Sequence, residues 1–228
     1  LPSFQVNEPW WHIPLEELKD FYWESYKIVQ AKAPLWITLF HDSFRLWPST
    51  FGGDWMKNCN NWAMDTHLYQ AWSEPTTSDT YVSRTCGAGS NLRLMESLGV
   101  PVIVGEWSLA MDNCAMWLNG LNDNVPGFPK LACKRVECSA SYMGEQPGAP
   151  PRLDPAADTM DPRGSGGESF VINGTCPVSG HFNPDSVRKL ANAQLNVFDL
   201  HTHGNFFWNF RTELEEPLWD YQQAVKHK

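Results

Sequence analysis

Pro101-Val-Ile-Val-Gly-Glu-Trp-Ser108 is the stretch on which the reading of this sequence turns. Three β-branched residues follow a proline and run into Gly105, Glu106 and Trp107. A short, continuous apolar run of this kind is a strand buried on both faces, as in a parallel sheet. An unpaired carboxylate is costly inside such a sheet, so Glu106 marks the strand's end and the mouth of a cleft. Outward from it, similar runs occupy residues 3–7, 35–42, 61–72 and 205–210, and each finishes on polar or aromatic residues.

Helical patterns separate the strands. Leu15, Leu18, Tyr22, Tyr26 and Val29 recur at helical spacing over 15–32, with Pro14 at the start and Pro34 beyond the end. A second helix is expected over 78–98, interrupted at Gly87–Gly89, and a short one over 110–120. Asn183-Pro184-Asp185 opens another, with Val187, Leu190, Ala191, Gln194, Phe198 and His201 on one face and Gly204 at its close. A last helix is expected over 217–228. Strands alternating with helices imply a parallel sheet covered by helices. The polar residues gather where strands end: Asn7 and Glu8, His41 and Asp42, His67 and Tyr69, Glu106, and Trp208. In a (β/α)8 TIM barrel that end of the strands carries the active site.

Several function classes are disfavoured. The formal net charge of -9 and a pI near 5.2 argue against nucleic acid or an anionic membrane as partner. No apolar run reaches the ~18 residues of a membrane span. No glycine-rich phosphate loop opens any helix. The six cysteines include no CxxC pair, and Cys133 and Cys138 have no histidine nearby, so no metal is expected. An even cysteine count and the acceptor sequence Asn173-Gly174-Thr175 favour a secreted glycoprotein with disulfides. Twelve tryptophans suit stacking on sugar rings, and equally suit a core. Residues 122–180, rich in Pro, Gly, Ser and Asp, break the alternation and read as a long insertion beside the cleft.

Glu8 and Glu106 are far apart in sequence, yet both lie just past a strand end. Glycoside hydrolysis needs two carboxyl groups flanking one bond, one to protonate the leaving oxygen and one to attack the anomeric carbon or activate water. VNEPW at 6–10, LFHDSF at 39–44, DTHLYQAW at 65–72, VGEWSLAMDNCAMWLNG at 104–120 and FFWNFRTE at 206–213 together resemble the family 5 glycoside hydrolases, and within them the fungal exo-β-1,3-glucanase branch.

The resemblance implies a retaining mechanism with Glu8 as acid/base and Glu106 as nucleophile, the charge of Glu106 raising the pKa of Glu8. It also implies that Asn7 positions the substrate, that His67 and Tyr69 hold the nucleophile and the sugar, and that Trp208 is the aromatic floor. His41 and Asp42 are candidates for sugar hydroxyls, and Phe44, Trp72 and Trp107 for the cleft wall. Cys114 and Cys176 are expected to pair. In the family the NEP motif ends strand four and GEW strand seven. The expectation is therefore one domain, 1–228, forming the C-terminal part of a barrel with about strands 4–8, completed by a further segment or another chain. Arg211 stands where the family has lysine. The implied partner is a β-glucan, outside the cell or in its wall, with no cofactor. A non-catalytic glucan-binding glycoprotein on the same scaffold is the alternative.

Overall fold

A computed structural model describes residues 2–5, 8–9, 13–46, 48–51, 54–71, 76–111, 160–161, 170–171, 183–211 and 218–226. The strands are β1 (Ser3–Gln5), β2 (Ile37–His41), β3 (Trp62–Leu68), β4 (Val102–Trp107), β5 (Met160–Asp161), β6 (Phe170–Val171) and β7 (Asn205–Phe207). The helices are α1 (Leu15–Lys32), α2 (Pro48–Phe51), α3 (Ser78–Ser97), α4 (Pro184–His201) and α5 (Tyr221–Lys226). The chain divides into two units, residues 1–68, 78–107 and 189–207 in one, and 69–77, 108–188 and 208–228 in the other.

The first unit contains a five-stranded sheet in the order β1-β2-β3-β4-β7, parallel throughout. Within this sheet the strands follow chain order, β5 and β6 aside, with a helix in each of the four crossovers. That is the repeating plan of part of a (β/α)8 barrel.

The pleat sorts the side chains. Register pairs Phe40 with Met64, and His41 with Asp65. One face of the sheet therefore carries Phe40, Trp62, Met64, Val102 and Val104, all buried. The Tyr22 ring of α1 packs on Phe40 at 4.7 Å, and Phe198 of α4 covers Trp107 at 5.5 Å. The other face carries Gln5, His41, Asp65 and His67 in alternate positions.

A register shift between β3 and β4 decides what joins that polar face. Thr66 lies opposite Val104, yet His67 lies opposite Glu106, so Gly105 is passed over. Such a bulge reverses the facing of every residue beyond it. Without it, Glu106 would point to the helix side and Trp107 to the polar side. Trp107, expected on the cleft wall, is instead 5 % exposed. It packs against Phe198 and Phe207, and its Nε1–H donates to Asn205 Oδ1 at 3.0 Å.

The passed-over residue must also be glycine. A Cβ on Gly105 would stand 2.1 Å from Asp65 Oδ1. Gly105→Ala is therefore expected to lower stability by about 1–3 kcal/mol, the scale of an overpacked core. Thermal unfolding of the variant beside the parent measures it.

Helix α3 runs unbroken through the glycines that suggested an interruption. At Gly89 the reason is packing: a Cβ there would meet Val197 Cγ1 of α4 at 2.8 Å, so the missing side chain lets the helices approach. In the second unit the Trp219 ring is buried, with Tyr69 at 5.5 Å and Trp208 at 5.7 Å. Asn209 N–H donates to the Trp219 carbonyl, and Leu109 N–H to that of Leu218. Strands β5 and β6 pair antiparallel within 122–180; the rest of that insertion, the 110–120 helix beyond Met111, and Cys114 and Cys176 lie outside the described residues.

Candidate active site

The polar face of the sheet converges on His67. Its Nδ1 lies 3.0 Å from Glu8 Oε1 and 3.4 Å from Glu106 Oε2, and its Nε2 lies 3.1 Å from Asp65 Oδ2. Gln5 Nε2 donates to the same Asp65 oxygen at 2.7 Å. The imidazole and Asp65 are buried, while the side chains of Glu8 and Glu106 keep 46 % and 28 % of their surface open. The two glutamates thus reach outward from a closed base.

Chemistry fixes the protonation of that base. An ionised carboxylate only accepts hydrogen bonds, and His67 faces carboxylates at both nitrogens. With those carboxylates ionised, both nitrogens carry hydrogen and the ring is an imidazolium. Burial works to lower its pKa, but the hydrogen bonds to Asp65 and Glu8 and the charges of Asp65 and Glu106 outweigh it and push it to about 10. The same contact acts on Glu8. The His67 hydrogen bond, opposed by burial, holds Glu8 below its ordinary 4.5. The rise in Glu8 pKa expected from Glu106 is thus overcome by a cation between them.

His41 takes the opposite charge state. It lies edge-on to His67 with ring centroids 4.4 Å apart. Burial, then the charge of His67, lowers its pKa to about 4. The neutral ring accepts the Ser43 amide N–H at Nδ1, 3.1 Å away, which leaves hydrogen on Nε2. The Tyr22 hydroxyl donates to the His41 carbonyl at 2.8 Å.

Asp42 shapes the turn after β2. Its Oδ1 accepts the Phe44 amide at 2.9 Å and its Oδ2 the Thr66 hydroxyl at 2.8 Å. Ser43 and Phe44 have φ of 57° and 56°, a left-handed pair that costs about 1–2 kcal/mol per residue without such support. The turn brings the Phe44 ring to 4.8 Å from His41 and 6.1 Å from His67. His41 and Asp42 are buried here, so they shape the base beneath His67.

Burial raises the Asp42 pKa from 3.8 to about 7, against the Thr66 and Phe44 hydrogen bonds. The folded state then holds this proton more tightly than the unfolded chain. Asp42 favours folding most below pH 3.8, and that contribution is lost as pH rises through about 7. Thr66→Val removes a donor to the ionised form. The expected loss is about 1–3 kcal/mol, larger at pH 8 than at pH 5, as read by urea unfolding at both values.

Glu8, His41 and His67 each offer one atom within 4.8 Å of the others, a grouping able to surround a cation. Their chemistry favours protons instead. An imidazolium has no free lone pair, and the His41 Nδ1 pair is taken by Ser43.

Of the sequence candidates, Glu8, His41, Asp42, His67 and Glu106 come together in the first unit. Tyr69 and Trp208 lie in the second, each against Trp219. Asn7, Trp72 and Asn173 lie outside the described residues. Sequence reasoning missed Asp65, Gln5 and the spacing role of Gly105. Asp65 was within reach, because it stands two residues before His67 and so shares its face of the strand.

No family model matches the chain. Curated proteins do. Over 97 % of its length the chain is 28 % identical to the glucan 1,3-beta-glucosidase of Blumeria graminis. It is 27 % identical over 96 % of its length to the probable glucan 1,3-beta-glucosidase A of Emericella nidulans, and 28 % over 96 % to the glucan 1,3-beta-glucosidase of Lachancea kluyveri. The chain is similar to glucan 1,3-beta-glucosidases. It spans somewhat less than half the length of each: 46 %, 47 % and 44 %. Among the described residues, no helix is long and apolar enough to cross a membrane.

Proposed function

We propose that this chain carries the carboxylate pair of a retaining glycoside hydrolase that cleaves β-glucan, with β-1,3-glucan as preferred substrate. The observation that carries the reading is one histidine nitrogen within 3.0 Å of Glu8 and 3.4 Å of Glu106. A shared contact with one ring nitrogen keeps the two carboxyl groups close, which supports the short spacing that retaining enzymes use.

In this mechanism Glu106 attacks the anomeric carbon and forms a glycosyl-enzyme, while Glu8 gives a proton to the departing oxygen. Glu8 then takes a proton from water, the water attacks, and the sugar leaves with its configuration retained. The family resemblance assigns Asn7, Tyr69 and Trp208 to the sugar. A wall polysaccharide as substrate puts the protein outside the cell, in keeping with the acceptor at Asn173; of the cysteines expected in disulfides, Cys59 and Cys86 are free thiols.

Product analysis on laminarin and on cellulose tests the substrate. Release of glucose or short oligosaccharides from laminarin, well above that from cellulose, is the expected result. Binding of laminarin with no hydrolysis would favour the non-catalytic glucan binder.

A further inference from the structure

Glu8 must hold a proton when the glycosidic bond breaks, and its Oε1 lies against the Nδ1 of a ring that meets carboxylates at both nitrogens. The nearest ring nitrogen able to supply one is His67 Nδ1, 3.0 Å from Glu8 Oε1. What keeps a proton there is on the far side of the ring, where Asp65 accepts from Nε2 at 3.1 Å. Among the described residues, the groups facing His67 are Glu8 beyond β1, His41 and Asp42 at the end of β2, Asp65 on β3 and Glu106 on β4. Of these, Asp65 is the buried carboxylate that faces Nε2.

Its surroundings are arranged around its charge. Gln5 donates to the same oxygen as His67, and Gly105 leaves space for the other. That other oxygen, Oδ1, is buried without a hydrogen-bond partner. Desolvating a carboxylate oxygen in this way is unfavourable unless a close cation compensates, and the imidazolium is that cation.

We propose that Asp65 is a positioning residue for the reaction: through His67 Nε2 it stores the acid proton on the imidazole, beside Glu8, until substrate arrives. This rests on the glycosidase reading of Glu8 and Glu106. As the glycosidic bond breaks, the Nδ1–H bond breaks and an O–H bond forms on Glu8, leaving a neutral ring that still donates from Nε2 to Asp65. Glu8 passes its proton to the leaving oxygen as Glu106 bonds to carbon. In the second half, water gives a proton to Glu8 as its oxygen displaces Glu106, and that proton returns to Nδ1. No net charge or proton is gained over the cycle.

Asp65→Asn is the clean variant. One amide oxygen accepts from both Gln5 and His67, and the amide nitrogen takes the place of the unpartnered Oδ1. Shape is kept and charge is lost. The measurement is the pH dependence of laminarin hydrolysis for both proteins, with the ¹⁵N shifts of the His67 ring in the parent at pH 8. The expected result is a doubly protonated parent ring and a variant whose alkaline limb moves about 1–3 pH units toward acid. Its rate near pH 5 falls less than its rate near pH 8. An equal loss at all pH values, with the limb unmoved, would mean a purely structural Asp65 and overturn the proposal. So would a neutral ring in the parent, which also decides the matter if the variant does not fold. A parent that hydrolyses no glucan overturns the glycosidase reading, and this proposal with it, whatever the ring shows.

Discussion

Glu106→Gln lowers turnover on laminarin by a factor on the order of 10⁴ or more, with the fold intact by circular dichroism. The amide matches the carboxylate in size and can still meet His67, so packing is little disturbed. What goes is the negative charge and the nucleophilic oxygen. In a covalent mechanism no neighbouring group replaces them: Glu8 faces the same nitrogen but is needed as the acid. A residual rate within tenfold of the parent would remove Glu106 from the bond-forming step.

Glu8→Ala gives the second large effect, and its signature differs. Turnover of natural glucans falls by about 10²–10⁴, the usual contribution of a positioned acid/base. Aryl glucosides with a good leaving group need no proton donor, so their first step survives and the glycosyl-enzyme accumulates. A small anion such as azide then replaces the water that Glu8 would have activated. Burst kinetics followed by azide-accelerated turnover, with a β-glucosyl azide product, is the expected pattern. Equal losses on both substrate types with no azide effect would place Glu8 outside the proton-transfer step.

The scaffold was largely legible in the sequence, because parallel strands buried on both faces show as apolar runs ending on polar residues. Helix α1 spans Leu15–Lys32, the range its apolar spacing predicted. The same cues placed Glu8, His41, Asp42, His67 and Glu106 at strand ends, where the fold brings them onto one base. Trp107 was placed on the cleft wall by the family resemblance, but as the strand neighbour of Glu106 it faces the opposite side. The skipped Gly105 reverses the facing of Glu106 and Trp107, and nothing local announces a bulge except the glycine itself. The glycines of α3 misled in the other direction, since a packing glycine and a breaking glycine look alike until the neighbouring helix is known. The Glu8 charge state was equally hidden. Two carboxylates alone predict mutual repulsion, and only the position of His67 between them reverses the sign.

The central claim is that Glu106 forms a covalent bond to the sugar. The most direct measurement is intact mass and peptide mapping after incubation with 2-deoxy-2-fluoroglucosyl fluoride, which forms the glycosyl-enzyme and slows its breakdown. The account predicts one added fluoroglucosyl group per chain, on the peptide containing Glu106. No adduct on a protein that hydrolyses laminarin, or an adduct on Glu8, would contradict it.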